Sequence, residues 1–402
     1  MASERHVIVA GAGMAGLTAA LAMARAGLRA TVYEQATQLQ ETGAGLQLGP
    51  NATRVLLALG LGPRLAPVVT VPEAVRVMSA GSGREIARIP LGRHVEARYG
   101  APYWALHRGD LQAALAAAAN DEQDVKVSLG ARVEDFAAHA NGITVLMRRG
   151  EEITNERGIA LIGADGLWSQ VRDHLQRQQP PRFSHRTAWR ALVPADAVAP
   201  EFREPLVHLW LGLDAHLVHY PVKGGSVINI VGIVHDEWNK PGWSAPGKRD
   251  EILRHFVRYT WAETARELVG LPERWLKWAL FERHQPFRGG TGPVTLIGDA
   301  AHPMLPFLAQ GAGMAIEDAA VVADCLARYR GAADALRHYE AARVTRTQRV
   351  RDASRKQGRI YGMSGPEALA RTIGMRLLGG NRLLARQDWL YGWKPPERFR
   401  SA

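Results

Sequence analysis

The sequence predicts a mixed α/β fold with three parts: a domain built on a parallel sheet, an antiparallel sheet inserted into it, and a C-terminal helical region. Three observations predict this arrangement. The apolar run His6–Ala10 leads into a glycine-rich turn at Gly11–Gly16, and a second apolar run, Val294–Ile297, leads into another turn at Gly298–Pro303. Stretches of alternating apolar residues lie between the two turns. From about Ala332 onward the sequence is basic and is predicted to be helical.

The first turn has the sequence context of a Rossmann-like unit that binds a dinucleotide. We expect a strand at His6–Ala10, a helix at Met14–Ala26, and a second strand at Arg29–Tyr33. In such a unit the three glycines permit a sharp turn, the approach of a pyrophosphate, and close helix packing. The start of the helix offers free N–H groups to phosphate. An acid at the end of the second strand can accept hydrogen bonds from a ribose. Gly11–Gly16 and Glu34 occupy these places.

The second turn indicates that the dinucleotide is FAD. Asp299 follows a predicted strand, where its carboxylate can bind a ribose or ribitol hydroxyl. Gln310–Gly313 then leads into a helix predicted at about 313–329, whose first N–H groups can stabilise the electron-rich edge of a flavin. A nicotinamide dehydrogenase needs only the first turn. A chain with both turns is expected to hold a larger dinucleotide permanently.

The remaining elements lie between and around the turns. We expect a helix at Leu106–Asn120, and a buried strand at Ile159–Ile162 that leads into an Asp-Gly turn at Gly163–Gly166. Alternation within 75–91 and 183–234 predicts antiparallel strands. These elements predict a discontinuous FAD-binding domain at residues 1–73, 106–180 and 286–330. They also predict a substrate-binding sheet domain at residues 74–105 and 181–285, and a C-terminal helical region at residues 331–402.

The composition favours a cytoplasmic protein without integral membrane association. The chain has 402 residues, of which 47% are hydrophobic, enough for a large core. No apolar run approaches the ~20 residues of a membrane span, and no secretory signal is visible. The single cysteine, Cys325, suits a reducing compartment. A monomer and a homodimer are both compatible with the sequence.

The formal net charge of +11 favours anionic ligands. The basic residues are dispersed and form no known nucleic-acid-binding module, so we expect no nucleic acid partner. The densest basic cluster, within 343–359, is predicted to form a solvated or subunit-contacting helix face. No residue is assigned to a metal.

Taken together, the motifs resemble those of the single-component, FAD-dependent aromatic hydroxylases. Gly11–Gly16 matches their dinucleotide fingerprint, and Gly298–Pro303 matches the Gly-Asp element that holds the FAD ribityl chain. Gly163–Gly166, with Arg172, is similar to the Asp-Gly element that the family uses for flavin and reduced nicotinamide. Arg108 lies in a segment similar to the family helix whose arginine contacts FAD.

The resemblance covers nearly the whole chain and is closest to the branch with salicylate, 3-hydroxybenzoate and 6-hydroxynicotinate hydroxylases. Pro306–Ala319 and Trp389–Gly392 carry this closer match, and Gly43–Asn51 resembles the loop that lines the flavin ring. The motifs and the resemblance together assign cofactor contacts to Gly11, Gly13, Met14, Ala15, Gly16, Glu34, Gln35, Gly45, Arg108, Val133, Asp165, Asp299, Pro306, Gly311, Ala312 and Gly313.

The resemblance implies a hydroxylation that consumes oxygen and either NADH or NADPH. The donor reduces the flavin, oxygen adds at flavin C4a to give a hydroperoxide, and the hydroperoxide attacks an electron-rich ring. A base that removes the phenolic proton speeds this attack. Alternation places His216, Val218 and Tyr220 on one face of a strand. The resemblance implies that His216 takes the proton and that Tyr220 donates to the substrate, although a merely packed strand histidine is the alternative.

Three further residues are expected at the substrate. Gln47 can reach it from the other side of the ring, and Arg190 can bind a carboxylate or the nicotinamide phosphates, or form a surface ion pair. Phe307 stands where hydroxynicotinate hydroxylases have a histidine, and Pro306 stands where 3-hydroxybenzoate 6-hydroxylases have a glutamine. Both differences count against those two substrates. The sequence therefore predicts a small, anionic hydroxylated aromatic acid, with salicylate as the first candidate.

Three alternatives stay open. A larger, non-carboxylated or N-heteroaromatic substrate would agree with the same motifs. A flavin-dependent halogenase would share the fold, but Trp275–Trp278 does not match the Trp-x-Trp-x-Ile-Pro stretch of those enzymes. A non-catalytic flavin-binding redox sensor would need a resolving thiol for Cys325, and the sequence has no second cysteine.

Overall fold

The computed structural model describes residues 5–39, 44–176, 180–242, 244–257, 261–283, 285, 287 and 289–400. Gly43, the first residue of the predicted flavin loop, and the predicted boundary at residue 286 lie outside these ranges. The described strands are β1 (His6–Ala10), β2 (Arg29–Glu34), β3 (Gly45–Leu48), β4 (Ala74–Ser79), β5 (Glu85–Pro90), β6 (Trp104–His107), β7 (Val125–Leu129), β8 (Arg132–His139), β9 (Gly142–Arg149), β10 (Glu152–Gly158), β11 (Ala160–Gly163), β12 (Arg182–Pro194), β13 (Leu206–Leu211), β14 (Ala215–Val222), β15 (Val227–His235), β16 (Ala245–Gly247), β17 (Trp275–Glu282) and β18 (Val294–Leu296).

The α-helices pack around these strands, and the longest of them follow the last strand. They are α1 (Met14–Arg25), α2 (Pro50–Ala58), α3 (Gly62–Leu65), α4 (Gly92–Tyr99), α5 (Arg108–Asp121), α6 (Gln170–Leu175), α7 (Arg249–Val257), α8 (Glu263–Gly270), α9 (Gly311–Arg328), α10 (Ala332–Tyr361), α11 (Gly365–Ala385) and α12 (Asp388–Tyr391). The predicted fold class, with a parallel sheet, an antiparallel sheet and C-terminal helices, is confirmed. Across the described residues, no helix has both the length and the apolar character that crossing a membrane requires.

A five-stranded parallel sheet, in the order β18-β11-β1-β2-β7, brings the predicted turns together. Ala10 at the end of β1 lies opposite Gly163 of β11, and Gly163 lies opposite Leu296 of β18. The chain leaves all three strands at the same edge, because parallel strands share their carboxyl ends. The turns that follow β1, β11 and β18 therefore lie side by side.

Two of the turn glycines are required by close backbone contacts. A Cβ added at Gly16 would lie 1.9 Å from the carbonyl oxygen of Gly11, so α1 could not pack this closely on β1 with any side chain there. Gly298 has a φ of +59°, which L side chains rarely adopt, and its Cβ would lie 3.1 Å from Cβ of Ala15 and 3.2 Å from Cβ of Ala315. These two glycines let α1, α9 and the turn after β18 approach one another.

An eight-stranded sheet, in the order β16-β17-β12-β15-β14-β13-β4-β5, forms the second layer, and all of its pairs are antiparallel except β13 with β4. One face packs on α7 and α8 through a core that includes Trp189, Trp210 and Phe256. The other face points toward the edge of the parallel sheet and toward α10 and α11. This second face carries His216 and Tyr220, which lie opposite Ile233 and Asn229 of β15.

One sequence expectation about an element was wrong, and one group of elements was missed. The helix predicted at Leu106–Asn120 begins only at Arg108, because Trp104–His107 forms strand β6, which pairs with β3. A three-stranded antiparallel sheet, β8-β9-β10, was not expected. Its outer strand β10 is mostly exposed and charged, so its apolar pattern was too weak to predict a strand.

Candidate active site

A cavity of about 880 Å³ lies between the second face of the eight-stranded sheet, the turns at the edge of the parallel sheet, and helices α10 and α11. Twelve of the residues predicted for cofactor, substrate or catalysis line it: Met14, Gly45, Gln47, Arg108, Arg190, His216, Tyr220, Asp299, Pro306, Phe307, Gly311 and Ala312. The others lie outside its lining: Gly11, Gly13, Ala15, Gly16, Glu34, Gln35, Val133, Asp165 and Gly313.

His216 lies in an apolar and aromatic part of the cavity. Its side chain is almost fully buried, and its ring centroid is 5.5 Å from that of Phe307 and 5.1 Å from that of Tyr361. Burial, with the positive charge of Arg186, lowers the pKa of His216 to about 3. Within the described part of the chain its ring makes no hydrogen bond. His216 is therefore a neutral imidazole that is open to a ligand in the cavity.

Tyr220 and Gln47 belong to a hydrogen-bonded group that also includes Tyr103. The Tyr103 hydroxyl donates to Oε1 of Gln47 at 2.7 Å, and Gln47 also bonds with Tyr220. Burial raises the pKa of both tyrosines above the usual value, so both hydroxyls stay protonated and can donate. The sequence analysis missed Tyr103, because no motif marks it and only the pairing of β3 with β6 brings it beside Gln47.

Arg190 presents a cation to the cavity. It lies on β12, its guanidinium carbon is 4.8 Å from the ring centroid of Trp278, and it forms no ion pair with a carboxylate of the described residues. Burial and the nearby Arg108 lower the pKa of Arg190 to about 10, so the side chain remains charged at neutral pH. A positive group of this kind, stacked on an aromatic ring and facing a cavity, is suited to an anionic ligand.

The residues at the turns provide a cradle that fits a flavin dinucleotide. Neither α1 nor α9 has a side-chain hydrogen bond at its N-cap, so the first N–H groups of both helices are available to a ligand. A Cβ added at Gly13 would meet nothing within 4 Å, so the start of α1 is open to a bulky group. The Asp299 carboxylate faces the cavity and makes no hydrogen bond within the described residues, and burial raises its pKa.

Comparison with known proteins agrees with this geometry. Residues 4–354 match the family described as an FAD binding domain. A 3-hydroxybenzoate 6-hydroxylase of Aquipseudomonas alcaligenes is 36% identical over 99% of this chain and 100% of its own length. The chain is an FAD-dependent aromatic hydroxylase. The predicted family and cofactor are thereby confirmed.

Two further proteins show the breadth of the similarity. A 3-amino-4-hydroxybenzoate 2-monooxygenase of Streptomyces platensis is 37% identical over 97% of this chain and 96% of its own length. The structure of a salicylate hydroxylase with its substrate has a TM-score of 0.81 and 26% identity, over 99% of this chain and 98% of the other. The resemblance inferred from the motifs therefore extends over the full length of this hydroxylase.

Two cofactor residues predicted for the adenosine side lie beyond the cavity, near the turn after β1. Glu34 accepts the backbone N–H groups of Ala12 and Ala36, each at 2.9 Å. A carboxylate has about four acceptor sites, so it keeps capacity for a ribose hydroxyl. Gln35 is exposed directly after it. Val133 differs, because its side chain packs in the core with residues such as Tyr33, and only its backbone could face a ligand.

Asp165 has a structural task in this hydroxylase. Its carboxylate accepts the Ser169 hydroxyl and the backbone N–H groups of Gln170 and Val171, at 2.8 and 3.1 Å. It therefore fixes the start of α6, and it lies outside the cavity lining; its contact with the cofactor stays a prediction. The next helix residue used by the motif, Arg172, donates to the carbonyl oxygens of Ala300 and Ala301 at 2.7 and 2.8 Å. The Asp-Gly element thus supports the turn after β18.

A buried ion-pair network, which the sequence analysis did not expect, holds the same turn from the other side. Asp318 of α9 accepts the backbone N–H of Gly298 at 2.9 Å and the Nε2 of His302. Arg343 of α10 donates to Asp318 at 2.6 Å and to Glu317 at 2.8 Å. The basic cluster was predicted to be a solvated or subunit-contacting face, and this is wrong for Arg343, which is 4% exposed. The sequence did contain a sign of this network, namely the two adjacent acids Glu317 and Asp318 in the apolar helix α9. Buried carboxylates need cationic partners.

Phe307 is held in place by a glycine of α10. A Cβ added at Gly358 would lie 2.6 Å from Cδ2 and Cε2 of the Phe307 ring, which is too close for any side chain. We expect Gly358→Ala to displace the Phe307 ring and to lower the free energy of unfolding by about 1–3 kcal/mol through overpacking. Binding of an aromatic acid to the FAD-loaded protein should weaken at the same time, because the ring borders His216.

Titration calorimetry and chemical denaturation check this prediction, with Gly270→Ala as the control. Gly270 ends helix α8 on the far face of the sheet, and the nearest atom to its added Cβ is 3.5 Å away. Unchanged ligand affinity in Gly358→Ala, at unchanged stability, would contradict the tight contact with Phe307.

The cavity also has a wall that the sequence analysis did not anticipate. Helix α11 contributes Arg371, Met375 and Leu378, and the end of α10 contributes Tyr361. The sequence indicated only that this region is helical, because no motif connects these residues to the cofactor turns. Within the described ranges, no group of three His, Cys, Asp or Glu side chains is arranged to hold a metal ion.

Proposed function

We propose that this enzyme hydroxylates a hydroxybenzoate, using oxygen and either NADH or NADPH. The observation that carries the proposal is the presence in one cavity of three groups: the Arg190 guanidinium, which pairs with no carboxylate of the described residues, the neutral imidazole of His216, and the protonated phenol of Tyr220. A hydroxybenzoate has a matching pair of groups, because it joins one carboxylate to a phenol that must lose a proton.

Each of these residues has a separate task in the proposal. Arg190 binds the substrate carboxylate, and Tyr220, supported by Gln47, donates a hydrogen bond to a substrate oxygen. His216 accepts the phenolic proton as the ring is attacked, which is general base catalysis. Phe307 and the aliphatic floor of the cavity exclude water from the reacting groups.

The cofactor would be held by residues around the parallel-sheet turns. In the proposal, the start of α1 at Gly13 and Met14 binds the pyrophosphate, and Asp299 binds a ribityl hydroxyl. The first N–H groups of α9, at Gly311–Gly313, face the polar edge of the flavin ring. Held by these residues, FAD would take two electrons from NADH or NADPH and react with O2, so that one oxygen atom could enter the substrate and the other leave as water.

The similar proteins support a hydroxybenzoate without fixing the position of its hydroxyl. The three that were compared are named for 3-hydroxybenzoate, 3-amino-4-hydroxybenzoate and salicylate, which share a benzoate carboxylate and a ring hydroxyl. Salicylate was the first candidate from the sequence, and Pro306 counted against 3-hydroxybenzoate. Because a 3-hydroxybenzoate hydroxylase is 36% identical over the full length, both acids belong in the substrate test.

We further infer that the enzyme works in the cytoplasm, where the nicotinamide donor is supplied, as a monomer or a homodimer. The donor would dock transiently, since the sequence carries one complete dinucleotide-binding unit. Its anionic phosphates would be attracted by the net positive charge of the chain.

The test is hydroxylation by the FAD-loaded protein with salicylate, 3-hydroxybenzoate and 3-amino-4-hydroxybenzoate, and with phenol as a substrate that lacks the carboxylate. Product should form with at least one acid, in step with NADH or NADPH oxidation. In Arg190→Gln, kcat/KM for that acid should fall about 30-fold or more, since removing one partner of a buried charge pair costs roughly 2–5 kcal/mol. The residual turnover of phenol should change little.

Arg29→Gln, an exposed arginine at the start of β2, is the matched control and should behave like the wild type. Absence of product from every acid, with all reducing equivalents released as hydrogen peroxide, would contradict the proposed function. An equal loss for the acid and for phenol in Arg190→Gln would show that Arg190 does not bind the carboxylate.

A further inference from the structure

The cavity continues past the groups that the proposed reaction uses, and this continuation is mostly aliphatic, although Glu367 and Arg371 of α11 also line the cavity. We propose that it binds an apolar alkyl or aryl substituent on the aromatic acid, so that the natural substrate is a substituted hydroxybenzoate. We call the continuation the apolar arm, and define it by Val75, Val77, Ile89, Leu209, Met375 and Leu378. The inference rests on the proposed function, which it makes more specific.

The floor of the apolar arm is set by the register of the eight-stranded sheet. Polar cavity residues occur on β12 and β14, as Arg190, His216 and Tyr220. On the next three strands, the residues that face the cavity are all aliphatic. Leu209 of β13 lies opposite Val77 of β4, and Val75 of β4 lies opposite Ile89 of β5. Because neighbouring strands are about 4.8 Å apart, this aliphatic floor extends roughly 14 Å beyond β14.

The roof of the arm is one face of helix α11. Arg371, Met375 and Leu378 recur at helical spacing on the cavity side. Arg371 Nη1 donates to the carbonyl oxygens of Ile360 and Tyr361, at 3.0 and 3.2 Å, at the end of α10. Its buried Nε makes no hydrogen bond within the described residues, so one polar atom stands beside the otherwise aliphatic roof. The adjacent residue Leu377 points the other way and is 78% exposed.

Helix α11 is in direct backbone contact with strand β5. A Cβ added at Gly380 would lie 2.0 Å from the carbonyl oxygen of Arg88 in β5, so the helix backbone rests directly on the edge strand. Gly379 has a φ of +67°, which L side chains rarely adopt, and it sets the bend that allows this approach. The arm is therefore a defined space between a fixed floor and a fixed roof.

An unsubstituted hydroxybenzoate would leave the apolar arm unfilled. Its carboxylate and hydroxyl are matched by groups on β12 and β14, and its ring is shorter than the aliphatic floor that follows. The floor residues of the arm carry no polar atom on their side chains, so the arm favours hydrocarbon over a second charged or hydroxylated group.

The experiment measures binding of acids with growing side chains to the FAD-loaded protein by titration calorimetry. The probes are salicylate and 3-hydroxybenzoate, with their methyl, propyl and pentyl homologues at each free ring position. Each buried methylene should tighten binding about fourfold at the ring position that directs the chain into the arm. Hydroxylation of the best homologue should be at least as tightly coupled to NADH or NADPH oxidation as that of its parent acid.

Two adjacent variants separate the arm from a general effect of the helix. Leu378→Trp fills the arm and should remove the gain of the propyl and pentyl homologues, while the affinity for the parent acid stays within about threefold. Leu377→Trp places the same side chain on the outer surface and should leave all affinities unchanged. If Leu378→Trp fails to fold, Val77→Phe fills the arm from the floor and serves the same purpose.

Three results would overturn the inference. One is that homologues bind no more tightly than their parents at any ring position, and another is that the gain survives in Leu378→Trp. A third is that decanoate, which has no ring, binds as tightly as the pentyl homologues and responds to Leu378→Trp, since the arm would then hold a lipid chain. Failure of the proposed function looks different, because the homologues would bind as described while no acid was hydroxylated.

Discussion

Replacing His216 by glutamine is expected to lower the rate of hydroxylation about 10²–10⁴-fold, the usual contribution of a general base. Glutamine keeps a polar side chain on β14 but cannot accept the phenolic proton. The wild-type rate should also lack an acid limb near pH 6.5. Because burial lowers the pKa of His216 to about 3, the imidazole is neutral, and able to accept a hydrogen bond from the phenol, throughout pH 5–9.

Product formation and NADH or NADPH oxidation must be measured separately, since a variant that still reduces oxygen to hydrogen peroxide would otherwise look active. His235→Gln, an exposed histidine at the end of β15, is the control. If His216→Gln forms product at the wild-type rate and yield, His216 is only a packed strand residue. A fall in the wild-type rate centred near pH 6.5, absent from His216→Gln, would show that its pKa is not lowered.

Replacing Arg343 by methionine is expected to lower the free energy of unfolding by about 3 kcal/mol, the lower end of the cost of breaking a buried ion pair. Each buried carboxylate loses one cation but keeps another, since Arg346 still donates to Glu317 and His302 still contacts Asp318. Arg343 donates to both Glu317 and Asp318, and both acids are fully buried. Although burial alone would raise it, the pKa of Asp318 is lowered to about 2 by His302 and Arg343. In the wild type this carboxylate stabilises the fold above its unfolded pKa of about 4, and the contribution is lost as the pH falls toward 2.

In Arg343→Met, the contribution of Asp318 to stability should depend on pH in the opposite direction. Without Arg343 the folded-state pKa of Asp318 rises, so the destabilisation should be larger at pH 8 than at pH 5. Chemical denaturation at the two pH values measures it. Arg337→Met, an exposed arginine paired with Asp334 on the same helix, should change stability by less than about 0.5 kcal/mol. A loss below about 1 kcal/mol in Arg343→Met would contradict the role of the network.

The parts of the fold that were predictable are those encoded over short distances. The strand, glycine turn and helix at 6–26 follow each other directly, and each step has its own local signal. The shared face of His216 and Tyr220 followed from strand alternation alone. His216 and Tyr220 also line one cavity with Gln47, Arg190 and Phe307. No local signal predicts this grouping, but the resemblance to the hydroxylase family does.

The features that were missed depend on contacts between distant segments. A run of arginines is usually solvated, and only the packing of α10 on α9 brings Arg343 to Glu317 and Asp318. Arg172 donates to the carbonyl oxygens of Ala300 and Ala301, a contact with the turn after β18 that its own motif does not indicate. The roof of the cavity comes from α11, whose sequence has no feature that separates a cavity wall from an ordinary surface helix.

The layout of the cavity separates reaction chemistry from molecular size. The groups suited to binding and deprotonating a substrate stand on two central strands, β12 and β14, while the roof belongs to a helix beyond residue 354, where the FAD-binding family match ends. Substitutions on that helix can lengthen or shorten the chamber without moving His216 or Arg190. In the proposed function, substrate size and substrate chemistry are therefore set by different segments of the chain.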